Sequence, residues 1–92
     1  MLALLLAAPF DMARAHEKFK IVGVVAKLHP EQLDVKGVDG STYEMDMFDS
    51  VPVFRRNTKV PRSELKPGTK VTVHALGHDF FDLEVTEVHI TQ

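Results

Sequence analysis

The sequence contains no cysteine and no tryptophan, and its aromatic residues are one tyrosine and six phenylalanines. Without cysteine the chain forms neither a disulfide nor a thiolate metal site. Few aromatic side chains leave little material for the stacking platform that binds single-stranded nucleic acid. No apolar run reaches the length of about 18–20 residues that a membrane-spanning helix requires.

Neither sign of charge predominates, because the chain has 11 basic and 13 acidic residues and a net charge of −2. A general nucleic-acid binder normally presents a strongly basic face, and this balance does not favour one. The sequence has no glycine-rich phosphate-binding loop. Its serines lie in turn-like contexts and suggest no Ser–His–acid arrangement. Together these absences predict a protein that is not an enzyme.

The first 15 residues resemble a signal peptide. Leu2–Ala8 is an apolar run too short to span a bilayer, and Ala13-Arg14-Ala15 has the small-x-small form of a cleavage site. No basic residue precedes the apolar run, so either the signal is truncated at its start or Met12 is the true start. We favour the truncated signal, which predicts a periplasmic or secreted protein whose mature chain begins at His16.

Residues 16–92 have the length of one domain, and their apolar pattern is typical of β-strands. Phe19–Leu28 is rich in isoleucine and valine, and Gly23 within it predicts a bulge or bend. Leu33–Lys36 and Tyr43–Met47 alternate between apolar and polar residues, and Asp39-Gly40 between them predicts a hairpin turn.

A second pair of strands is expected near the end of the chain. Lys70–Ala75 alternates cleanly, and Phe81, Leu83 and Val85 share a face. The apolar residues that follow, Val88 and Ile90, fall on the opposite phase. An extra residue near Thr86-Glu87, forming a β-bulge, would return them to the core.

The connection between the third and fourth strands, Asp49–Pro67, contains three prolines and keeps no regular period, although Ser63–Lys66 suggests one helical turn. Five strands with a long connection at this point predict an all-β fold: a small, monomeric five-stranded barrel of the OB type. A five-stranded barrel of the SH3 type is the rival architecture.

Several short motifs occur in an order that resembles a family of small exported bacterial domains with an OB-like fold. The motifs are Val22-Gly23-Val24-Val25, Leu33-Asp34-Val35, Asp39-Gly40 and the run from Ser63 to Val73. The resemblance extends over nearly all of residues 16–90. It implies a fold and export, and it implies no reaction.

Met45-Asp46-Met47 resembles a segment of the periplasmic copper-carrying OB-fold of copper efflux systems, in which two methionines, a histidine and a tryptophan hold Cu(I). The resemblance implies that Met45 and Met47 bind copper, since thioethers are soft ligands. This chain has no tryptophan, and Leu33–Lys36 carries no histidine. The alternative interpretation is that both methionines fill the core, because methionine packs well into irregular gaps.

Five histidines offer further metal ligands. Once residues 1–15 are removed, His16 would present its α-amine and a ring nitrogen together, which is a ready chelate for Cu(II). A second histidine would complete such a site, and the sequence does not indicate which one lies nearby. The remaining four, His29, His74, His78 and His89, are interpreted as surface residues.

Two functional hypotheses follow. The first is a non-enzymatic, exported barrel that binds a periplasmic partner protein or a soft metal ion, with copper held by Met45, Met47 and a histidine. The second is a cytoplasmic OB-fold that binds single-stranded nucleic acid. Its contacts would come from Arg55, Arg56, Lys59 and Tyr43.

Overall fold

A computed structural model describes residues 16–92, and these residues form an all-β domain, which confirms the predicted fold class. The predicted signal peptide, residues 1–15, lies outside the described residues. The strands are β1 (Glu17–His29), β2 (Gln32–Gly37), β3 (Thr42–Asp46), β4 (Val53–Arg55), β5 (Thr58–Val60), β6 (Lys70–Gly77) and β7 (Leu83–Ile90). Within this part of the chain, no helix has the length and apolar character needed to cross a membrane.

The seven strands form one sheet that curls back on itself. Their order is β3-β2-β1-β6-β7-β4-β5, and β3 additionally pairs with β7 through Asp46 and Glu84. This pairing brings β1, β2, β3, β7 and β6 into a ring, so the architecture resembles a small barrel. The β4–β7 and β3–β7 pairings are parallel, and the others are antiparallel.

The inward faces of the strands supply the hydrophobic core. A curled sheet can bury one face of every strand, which is how a short chain encloses a continuous core. The largest fully buried side chains are Leu33, Met45, Met47, Leu65, Val25, Val35, Val53, Val71, Val73, Val85 and Val88.

Strand β1 is long because it pairs with β2 on one side and with β6 on the other. Its irregularity lies at Ala26, which has no partner between the pairs Val25–Val35 and Lys27–Asp34. The predicted bulge or bend at Gly23 is therefore misplaced by three residues. Gly23 instead permits a close approach of β2, because a Cβ there would lie 2.0 Å from the Lys36 carbonyl oxygen.

The predicted turn at Asp39-Gly40 joins β2 to β3. Gly40 has a φ of 91°, a left-handed conformation that glycine adopts without strain. The Gly37 amide donates to the Ser41 carbonyl at 2.8 Å and closes the hairpin.

All five predicted strands are present, and the connection that we expected to be irregular contains two more. Strands β4 and β5 form a hairpin whose two-residue loop, Arg56-Asn57, has φ values of 53° and 65°. Positive φ at both positions is typical of a type I′ turn. The sequence period did not reveal these strands because each has three residues, and β4 is supported by its parallel pairing with β7. The predicted helical turn is present as a 3₁₀ helix, Arg62–Glu64.

The predicted bulge in the last strand is confirmed. His74 of β6 pairs with Glu87 and the next residue, Ala75, pairs with Val85, so Thr86 is the extra residue. Val88 and Ile90 consequently return to the core. Phe81 is not part of this inward face, because it lies in the turn before β7 and is 95% exposed.

Candidate metal centre

The outer face of the β6–β7 ladder carries two histidines and a glutamate whose possible ligand atoms lie close together. His74 lies directly opposite Glu87 in the antiparallel pairing. His89 follows Glu87 by two residues and shares its face, since side chains alternate along a strand. One ligand atom from each of the three residues lies within 4.8 Å of the others.

The bulge at Thr86 creates this arrangement. If Thr86 took its place in regular alternation, Glu87 and His89 would share the phase of Leu83 and Val85, which face the core. The Thr86 hydroxyl donates to the His74 carbonyl oxygen at 3.1 Å and ties the bulged residue to the neighbouring strand. The local backbone therefore fixes which face the potential ligands occupy.

The two imidazole rings have a separation that one metal ion can bridge. Their centroids are 5.4 Å apart and the ring planes are nearly perpendicular, at 84°. With a metal–nitrogen distance of about 2.0–2.1 Å, a ring centre lies about 3.2 Å from the metal, so two histidines on one ion have centroids about 4.5–6.4 Å apart. The observed separation falls inside this range.

Glu87 supplies a negative charge to the cluster. Its carboxylate accepts a hydrogen bond from His89 Nε2 at 2.5 Å. That hydrogen bond lowers the pKa of Glu87 below its usual value of 4.5, against a smaller opposing effect of desolvation, and the charges of His89 and His74 lower it further. The carboxylate is therefore ionised at neutral pH and available as an oxygen ligand.

Neighbouring strands hold one ring in place and leave the cluster open. Phe54 of β4 stacks on His89 with a centroid distance of 5.3 Å and an interplanar angle of 22°. The side chains of His89 and Glu87 remain 32% and 42% exposed. An ion can reach the cluster from solvent, and positions of its coordination sphere would stay open to water or another ligand.

Two imidazole nitrogens and one carboxylate oxygen suit a divalent transition metal. Imidazole is a ligand for zinc, copper, iron and nickel, and a 2-His-1-carboxylate set with open positions is a recognised arrangement for such ions. The same set suits Ca²⁺ and Mg²⁺ poorly, because those ions prefer oxygen ligands throughout.

Of the metal ligands predicted from the sequence, two lie in the core and one lies on the surface. Met45 and Met47 are both 0% exposed and belong to the hydrophobic core, where core filling alone accounts for them. His16 is exposed at the start of the described residues, and the ring beside it is that of His78, at a centroid distance of 5.4 Å.

The residues expected to contact nucleic acid are partly engaged elsewhere. Arg55 forms an ion pair with Glu64 at 2.8 Å. The Tyr43 hydroxyl donates to Asp39. Arg56 lies in the β4–β5 turn and Lys59 in β5, whereas Tyr43 lies in β3.

The sequence pattern indicates that His74 and His89 are surface residues, and it does not reveal that they form a cluster with Glu87. The available signal was the change of phase at Thr86, which moves Glu87 and His89 to the polar face. Combined with the pairing of the last two strands, that change places both beside His74.

The chain matches no known protein-family model, and neither the curated proteins nor the solved structures contain a match to it.

Proposed function

We propose that this chain is an exported, non-enzymatic, OB-like domain that binds a divalent transition-metal ion through His74, Glu87 and His89. The observation that carries the proposal is the grouping of three ligand atoms within 4.8 Å on an open sheet face. We expect the site to have its highest affinity for Cu(II), because nitrogen and oxygen sites bind Cu²⁺ more tightly than the other divalent ions of the first transition row.

The connectivity supports the OB-like part of the proposal. The ring runs β1-β2-β3-β7-β6, and the β4–β5 hairpin and the 3₁₀ helix are inserted between its third strand and the next one along the chain. An OB-fold is a five-stranded, partly open barrel of this kind. The metal cluster then lies on the outside of the ring, separate from the core that contains Met45 and Met47.

Export rests on the pattern of residues 1–15 described above. Mass spectrometry of the protein from a bacterial periplasmic extract tests it. The expected mass is that of a chain beginning at His16. A cytosolic species that retains Met1 or Met12 would contradict export and leave the metal proposal to its own test.

The metal proposal is tested by titrating Cu(II) and Zn(II) separately into the full 92-residue chain by isothermal calorimetry. Residue 15 is then still attached to His16, so the amine of His16 cannot contribute. His74→Ala and His89→Ala should each weaken binding by at least about tenfold, since each removes one of three ligands. Wild-type affinity in both variants would overturn the proposal.

A matched control is His29→Ala. His29 is also a half-exposed histidine bonded to a carboxylate, with its Nε2 2.8 Å from Asp34. It lies at the end of β1, outside the cluster. Its replacement should leave the affinity unchanged, whereas a loss equal to that of His89→Ala would indicate non-specific histidine binding.

A further inference from the structure

We propose that removal of residues 1–15 creates a second copper(II) site, formed by the α-amine and ring of His16 together with the ring of His78. This inference rests on the export that the proposed function includes. It is separate from the His74–Glu87–His89 cluster, and its test is made in a variant that lacks both of those histidines.

The sheet brings His16 and His78 together from distant parts of the chain. Glu17, the first residue of β1, pairs with Gly77, the last residue of β6. His16 immediately precedes Glu17, and His78 immediately follows Gly77. Their rings are consequently neighbours, with centroids 5.4 Å apart and an interplanar angle of 34°. This separation lies in the range of about 4.5–6.4 Å expected for two histidines on one ion.

A carboxylate is bonded to one ring nitrogen of His78. Its Nδ1 lies 2.8 Å from the Asp82 carboxylate, which leaves Nε2 free. A carboxylate bonded to the second ring nitrogen is the usual support of a metal-binding histidine, because it fixes the ring and raises its basicity. The side chains of His78 and Asp82 are 58% and 66% exposed, so solvent and ions reach them.

The turn that carries this pair has its own internal bonds. The Phe81 amide donates to Asp79 Oδ1 at 2.8 Å, and the Asp82 amide donates to the Asp79 carbonyl at 3.2 Å. At its base a Cβ on Gly77 would lie 1.9 Å from the Asp82 carbonyl oxygen, so the two ends of the turn approach closely. These contacts hold Asp82 where it reaches His78.

The chemistry of the site depends on the peptide bond before His16. While residue 15 is attached, the nitrogen of His16 is an amide and a poor ligand. After cleavage it is a free amine with a pKa near 8, and with its own ring nitrogen it can chelate one ion. Adding His78 gives three nitrogen donors, a set that suits the tetragonal geometry of Cu(II). The site would therefore form only in the processed protein.

The test compares two chains that both carry His74→Ala and His89→Ala. These replacements remove two of the three ligands of the first cluster. One chain begins at His16 and the other is the full 92-residue chain. Residues 16–92 carry the seven strands and the buried core of the part of the chain that the structure describes, and circular dichroism of the shorter chain checks its fold. Cu(II) binding is followed by calorimetry and by electron paramagnetic resonance, which counts the bound nitrogens.

The chain beginning at His16 should bind Cu(II) about a hundredfold more tightly than the full chain, because the freed amine adds an intramolecular chelating donor to the two rings. Acetylating its α-amine should abolish the difference. His78→Ala should weaken binding and remove one nitrogen from the resonance spectrum, while His29→Ala should change neither. Equal affinity of the two chains, or an unchanged spectrum in His78→Ala, would overturn the inference.

A negative result for the His16–His78 site can be distinguished from a negative result for the His74–Glu87–His89 cluster. The first cluster is tested by His74→Ala and His89→Ala in the full chain, where the His16 nitrogen is an amide, and the second site in a background that lacks both histidines. Each result therefore reports on one site.

Discussion

His74 lies directly opposite Glu87 across the β6–β7 ladder because Thr86 is bulged out of the pairing. The bulge reverses the phase of β7, so that Leu83 and Val85 before it and Val88 after it all face the core. Because Thr86 is bulged, the apolar residues on both sides of it complete the interior, and Glu87 and His89 join His74 on the exterior.

Deleting Thr86 should leave the fold intact. The deletion joins Val85 directly to Glu87, so strict alternation keeps Val88 inward and His89 outward, and only the bulge and the Thr86 hydroxyl bond are lost. Chemical denaturation followed by circular dichroism measures this. Thr86→Val keeps the residue count and loses only the hydroxyl bond to His74, so it should cost about 1 kcal/mol. A deletion variant that fails to fold would contradict this account of the strand phase.

The single tyrosine reports on its hydrogen bond to Asp39. That bond raises the pKa of Tyr43 above its usual value of 10.0, with smaller contributions from desolvation and from the Asp39 charge. The absorbance change of phenolate formation should therefore have its midpoint above pH 10. Asp39→Asn should move the midpoint down toward 10, whereas Asp49→Asn, which removes an equal charge elsewhere, should not.

The same bond makes stability depend on pH at both ends of the scale. Because the pKa of Tyr43 is raised in the folded state, its contribution is complete below pH 10.0 and is lost as pH rises through the folded-state pKa. The pKa of Asp39 is lowered, mainly by its bond with Tyr43, so the contribution is present above pH 3.8 and is lost on acidification below it. In Asp39→Asn the difference from wild type should shrink at both extremes, and a constant difference would contradict this.

Gly23→Ala should destabilise the domain although it adds one methyl group. The new Cβ would meet the Lys36 carbonyl oxygen at 2.0 Å, a backbone atom that cannot move aside without opening the β1–β2 ladder. Overpacking of this kind costs about 1–3 kcal/mol or more. Val22→Ala, at a 43% exposed neighbour, is the control and should cost less in the same denaturation experiment.

The double variant Met45→Leu/Met47→Leu tests the copper hypothesis that the sequence suggested for this pair. Both side chains are fully buried, and exchanging methionine for leucine nearly conserves volume, so each replacement should cost less than about 1.5 kcal/mol. Cu(I) titration under reducing conditions should give the same result for the variant and the wild type. A loss of Cu(I) binding in a folded variant would support the hypothesis that the two thioethers bind copper.

Alternation and turn chemistry were sufficient to predict much of the fold. The five ring strands, the Asp39-Gly40 turn and the bulge beside Glu87 all follow from local patterns, because side-chain phase and the left-handed preference of glycine act over a few residues. The β4–β5 hairpin did not, because its strands are short and β4 pairs with a partner 35 residues further along the chain, in β7.

The sequence by itself determined that this chain has no disulfides and that residues 16–92 contain strands with one apolar face. Only the tertiary structure decided which polar residues meet. His74 and His89 become neighbours through strand pairing, and His16 meets His78 because β1 and β6 end together. The same closure enclosed Met45 and Met47 in the core, since an apolar face becomes interior only when the sheet curls around it.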